Sequence, residues 1–130
     1  MTSIRIEGFG PSVDAREKML KRMFADRGDI ETLGNEQGDA LWRRIAVAAD
    51  LAVDGRPVLW RICAPPSQGA SLLSGIAELG GDALLDWAGG LCWARMPADS
   101  SVAAVRQLAE TAGGHATLID APGEIRAVAP

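Results

Sequence analysis

From residue 57 onward the chain switches repeatedly between the period of a strand and the period of a helix. Residues 58–64 form a nearly continuous apolar run stopped by Pro65-Pro66, the pattern of a buried strand. Ser67 or Gln68 then opens a helix whose stripe is Leu72, Leu73, Ile76 and Leu79, closed by Gly80-Gly81. Residues 83–87 and 91–96 read as two strands around Ala88-Gly89-Gly90, a hairpin signal. Asp99 or Ser100 caps another helix, carrying Val102, Val105, Leu108, Ala109 and Ala112 and ended by Gly113-Gly114. Residues 115–119 read as a strand, and 125–128 fit one more.

The first third is less regular. Residues 4–9 alternate and end at Gly10-Pro11, which predicts a strand and a break. Ser12 is positioned to cap a helix, with Asp14 near its positive end. Val13, Arg16, Leu20, Met23, Phe24 and Arg27 recur at helical spacing up to Gly28. Residues 29–33 read as a short strand and 34–39 as a polar loop. The pattern does not assign 41–45, and 46–51 fit either a strand or a helix.

In order, residues 58–119 give strand, helix, strand, strand, helix, strand. That is the ferredoxin-like split βαβ order, an α+β fold with an antiparallel sheet and helices on one face. Residues 4–33 would add a strand-helix-strand unit in front, making one sheet of about six or seven strands with three helices on one side. At 130 residues the chain is expected to form a single domain, 1–130.

Composition narrows the function. The net charge of -4 and pI near 4.9 disfavour nucleic acid, whose phosphates want a basic face. No apolar run approaches 18 residues, so no membrane span is expected. Met1-Thr2-Ser3-Ile4-Arg5 lacks the apolar stretch of a secretory signal. Cys63 and Cys92 have no metal-ligand spacing and lie in apolar segments, which suits buried reduced thiols and a cytoplasmic location.

Candidate chemistry is sparse. His115, the only histidine, follows Gly113-Gly114, where a tight turn meets a side chain that titrates near neutrality. It reads either as a ligand-facing group or as a side chain satisfying backbone groups at the turn. Trp60, between Leu59 and Ile62, reads as core, whereas Trp87 and Trp93 fit core or pocket equally. Arg61 and Arg95 interrupt apolar strand patterns, so each is solvated, paired, or facing an anion that suits its guanidinium fork. No nucleophile elbow, P-loop, dinucleotide fingerprint or metal cluster is present in the sequence, so no metal is expected.

Three ordered segments carry a resemblance. They are Leu59-Trp60-Arg61-Ile62 with Ala64-Pro65-Pro66-Ser67, then Leu85-Asp86-Trp87-Ala88-Gly89-Gly90-Leu91 with Trp93, then Gly113-Gly114-His115-Ala116-Thr117-Leu118. Glu7-Gly8-Phe9-Gly10-Pro11-Ser12-Val13 with Arg16, and Leu41-Trp42-Arg43, fit the same pattern. Together they resemble the C-terminal half of the FAD-binding subunit of bacterial glycolate oxidase, one of the FAD-linked oxidases of the vanillyl-alcohol oxidase type. The resemblance implies a cap domain that covers the flavin and shapes the pocket for a small 2-hydroxy acid. It places FAD in the full-length protein. None is expected in these residues, which lack the half with the FAD fingerprint and the closing Asp-Pro-x-Gly and Asn-Pro-Gly segment. It implies no activity in isolation, with the FAD-binding domain and other oxidase subunits as partners. His115, Trp87, Arg61, Trp93 and Arg95 are the residues expected to face substrate or flavin, and no catalytic residue is assigned. The alternative is a stand-alone α+β interaction module that forms a homodimer through its sheet. An independent small-molecule enzyme is disfavoured by the shortage of titratable groups.

Overall fold

In a computed structural model the chain is described over residues 1–51 and 57–128. It divides into two compact units, Met1–Ala46 and Val47–Pro130.

The first unit holds two helices, α1 (Gly10–Met23) and α2 (Asn35–Ala46). Pro11 sits in the first turn of α1, where a missing N–H is no loss. The cap is Phe9 rather than Ser12, and its carbonyl accepts from the Ser12 and Val13 amides. The strands expected at 4–9 and 29–33 do not form. A strand persists only when a neighbour takes up its row of N–H and C=O groups, and no described strand pairs with either segment. Arg16 donates to the Glu7 carbonyl at 2.6 Å and the Ser12 carbonyl at 3.2 Å. Thr32 donates to Glu17 at 3.0 Å. Hydrogen bonds from Lys21 and then Thr32 hold the Glu17 carboxyl below the usual carboxylate range. The loop expected at 34–39 is the start of α2. Gly38 N–H closes its first turn on the Gly34 carbonyl, and Leu41, Trp42 and Ile45 form its half-buried stripe. Among the described residues of this unit none is buried.

The second unit holds β1 (Val58–Cys63), α3 (Gly69–Glu78), β2 (Asp82–Asp86), β3 (Leu91–Met96), α4 (Val102–Thr111), β4 (His115–Asp120) and α5 (Gly123–Val128). The four strands form one sheet in the order β2-β3-β1-β4, with every neighbouring pair antiparallel. The fold is α+β and ferredoxin-like, as the element order predicts. The sheet has four strands rather than six or seven. Residues 125–128 lie in α5, where the Ile125 and Arg126 amides bond the Pro122 carbonyl.

Both crossover helices end by the same device. Gly80 and Gly81 donate to the carbonyls of Ala77 and Ile76, and Gly113 and Gly114 donate to those of Glu110 and Ala109. In each pair the first glycine takes a left-handed φ, +78° and +71°, the Schellman geometry that turns the chain back toward the sheet. Gly114 then passes against the Cys63 carbonyl and Ala64, leaving no room for a Cβ. At the other end of α4, Ser101 rather than Asp99 or Ser100 is the cap, accepting from Ala104 N–H at 3.3 Å.

The core lies between the sheet and these helices. Val58, Trp60 and Ile62 of β1 and Cys92, Ala94 and Met96 of β3 pack with Leu72 and Ile76 of α3 and Val105 and Ala109 of α4. Trp60 is 1% exposed, as its apolar flanks predict.

Candidate functional site

Successive residues of a strand point to opposite faces. Once Val58, Trp60 and Ile62 are buried against the helices, Leu59, Arg61 and Cys63 must occupy the other face. The same parity places Leu91, Trp93 and Arg95 of β3 there. The register lays these residues in rows: Asp82–Arg95–Leu59, Leu84–Trp93–Arg61–Thr117, and Asp86–Leu91–Cys63–His115. Arg61, Trp93, Arg95 and His115, four of the five residues singled out from the sequence, therefore share the face opposite α3 and α4.

The fifth joins them from a turn. Trp87 begins the link from β2 to β3, and Trp87, Ala88 and Gly89 all have left-handed φ, +51°, +55° and +101°. Two non-glycine residues in that region are held against a penalty of about 1–2 kcal/mol each. Two contacts hold them. Asp86 accepts from the Trp87 amide at 2.7 Å, and Gly89 lies against the Pro66 carbonyl, 2.7 Å from where a Cβ would stand. The result is an indole that is 62% exposed. Its ring lies under the Arg61 guanidinium, 5.6 Å from the ring centroid, a cation–π contact.

The charges on this face are unequally satisfied. Asp82 accepts from Ala83 N–H at 2.9 Å, Asp86 is bound to Trp87 N–H, and Asp120 pairs with Arg126 at 3.3 Å. Among the described residues neither Arg61 nor Arg95 has a hydrogen bond or carboxylate partner, and Arg95 Nε is buried without an acceptor. A buried donor lacking an acceptor is uncommon in a native fold. His115 is exposed and, among the described residues, makes no hydrogen bond or ion pair. It does not satisfy the backbone of the turn it follows.

The two cysteines are free. Cys92 pairs with Ile62 and faces the core, whereas Cys63 pairs with His115 on the open face, so their side chains diverge and cannot be bridged in place. Burial pushes the Cys92 thiol up to about 11. Cys63 is half-buried rather than buried.

Two clefts lie elsewhere. One of about 620 Å³ runs along α4, lined by Ser101, Arg106, Glu110 and Ile125 among others. One of about 210 Å³ lies between α3 and α4, at Leu72, Leu108 and Thr111. Neither includes any of the five residues. Among the described residues no three His, Cys, Asp or Glu side chains gather to hold a metal ion, and no helix is long and apolar enough to cross a membrane.

Sequence reasoning passed over Leu59, Cys63, Leu84 and Asp86 as members of this face. The signal was present, because 59, 61 and 63 share one parity. No protein-family model, no curated protein and no solved structure matches the chain.

Proposed function

We propose that the chain is the cap domain of a glycolate-oxidase-like FAD-linked oxidoreductase acting on a small 2-hydroxy acid, with the sheet face opposite α3 and α4 turned toward substrate and flavin. The observation that carries this reading is the pair of guanidiniums, Arg61 and Arg95, that among the described residues have no carboxylate or hydrogen-bond partner, on a face that also presents Trp87, Trp93 and His115. A guanidinium fork suits a carboxylate, and the engaged aspartates do not compete for it. The βαββαβ order and the three ordered motifs support the same assignment.

The residues fit a pocket wall rather than a nucleotide cradle. FAD, bound by the partner domain, supplies the hydride acceptor. The chain's own residues bind the acid's carboxylate, orient it and exclude water above it. No activity is expected from the chain alone. Two free thiols on opposite faces suit a reducing compartment, the cytoplasm. The test is purification of the tagged chain from its own cells with whatever it binds. A complex carrying flavin absorbance and oxidising 2-hydroxy acids supports the reading, and a complex without flavin overturns it.

A second reading is favoured by the half-buried Leu59, Leu84 and Trp93 on the same face. It is a module whose sheets pair face to face in a homodimer. Light scattering on the purified chain decides it: a monomer at high concentration removes this reading.

A further inference from the structure

The open face is more specific than a carboxylate receptor needs to be. Glycolate, the smallest 2-hydroxy acid, offers a carboxylate and little apolar surface. The face offers two guanidiniums and two indoles. Arg61 is paired in register with Trp93 and covers one side of Trp87. Arg95 lies two residues from Trp93 on the same strand, about 7–8 Å from Arg61 as a diagonal cross-strand neighbour. Leu59 and Leu84 flank the pair in their rows.

The turn is the most informative part. A freely placed surface tryptophan needs no left-handed backbone, yet Trp87 and Ala88 both adopt one. Local strain of this kind persists where the surroundings hold it, and it gathers at ligand-binding sites. Its effect here is to place an indole beneath the Arg61 guanidinium, with much of its surface in solvent. Aromatic side chains in that state recruit other flat rings, by offset or edge-on packing. Meanwhile Arg95 Nε lacks an acceptor.

We infer that the face takes a small aromatic carboxylate, its ring against Trp87 and its carboxylate at Arg61 and Arg95. Resting on the cap-domain reading, the substrate class becomes a 2-hydroxy acid bearing an aryl group, rather than glycolate itself. Charge complementarity selects the occupant. Among the described residues Arg61 and Arg95 have no carboxylate partner, whereas Asp82 and Asp86 each accept a backbone N–H and Asp120 pairs with Arg126, so the guanidiniums are the groups that a carboxylate completes.

The experiment is a titration of the ¹⁵N-labelled full chain with mandelate, glycolate and benzyl alcohol in parallel, following the indole N–H and arginine Nε–H signals. Mandelate is expected to shift Trp87, Arg61 and Arg95 and to half-saturate at a concentration roughly three- to tenfold below that for glycolate. Benzyl alcohol, which keeps the ring and loses the charge, is expected to shift these signals little. Trp87→Ala should remove the advantage of mandelate over glycolate, and Arg95→Gln should weaken both acids. Because Trp87 is exposed, its variant keeps the fold, and unchanged signals from the core confirm it. Equal binding of glycolate and mandelate, or no shift at these three residues, overturns the inference. A flavin-bearing complex found without aryl selectivity leaves the cap-domain reading standing. Aryl selectivity without such a complex does the reverse.

Discussion

Trp60 and Trp93 lie on adjacent strands, one register step apart, and their surroundings are opposite. Trp60 faces Ala94's side of the sheet and is enclosed by α3 and α4. Trp93 faces the other way, beside Arg61, and is half-buried. The helical face is apolar, with no polar or charged residue buried among those described. The open face mixes indoles, leucines and guanidiniums. One face carries the core of the fold and the other the candidate site, because a strand delivers alternate residues to each.

The comparison breaks most sharply at Trp60. Trp60→Ala is expected to lower stability by about 3–5 kcal/mol, read from the denaturant midpoint. A loss below about 1 kcal/mol would show that the helical face does not hold the fold. Gly114→Ala comes next, because a Cβ there runs into the backbone of 63–64. A loss of about 1–3 kcal/mol is expected, and a neutral result would contradict the close passage of the α4–β4 turn.

The thiols also separate the faces. Cys92 titrates at about 11 in the fold, against 9.0 when free. A raised pKa means the folded state keeps the proton that the unfolded state gives up. Its contribution is therefore complete below pH 9 and lost as pH rises toward 11, and Cys92→Ala should flatten that decline. In native protein a thiol reagent should label Cys63 and spare Cys92, read by mass spectrometry.

Smaller effects belong to the open face. Trp93→Ala should lower stability by about 1 kcal/mol or less, the scale of cross-strand pairs. Trp87→Ala should change it by less than about 0.5 kcal/mol while removing aryl binding. If Trp93→Ala were as damaging as Trp60→Ala, the open face would be structural.

Legibility followed range. The helix closures at Gly80-Gly81 and Gly113-Gly114 were readable because the motif is contained within six residues. The strand at 91–96 was bounded without error, set between a glycine turn and Pro97. Residues 4–9 and 29–33 carried strand-like alternation, but among the described residues no partner strand meets them, and Arg16 takes the Glu7 carbonyl instead. The pattern at 34–46 was obscured by Gly34 and Gly38, although Leu41, Trp42 and Ile45 already had helical spacing.

The candidate site was legible as residue types and not as a place. His115, Trp87, Arg61, Trp93 and Arg95 span more than fifty positions, and nothing local brings them together. By itself the sequence determined the βαββαβ order, the glycine-closed crossovers and the parity that sets Arg61 against Trp60. The tertiary structure decided which parity the helices cover, the register that aligns Arg61 with Trp93, and the left-handed turn that sets Trp87 under Arg61. Helix period and capping are short-range properties of neighbouring residues. Strand partners and the burial of one face depend on contacts between residues far apart in the chain, which only the folded sheet provides.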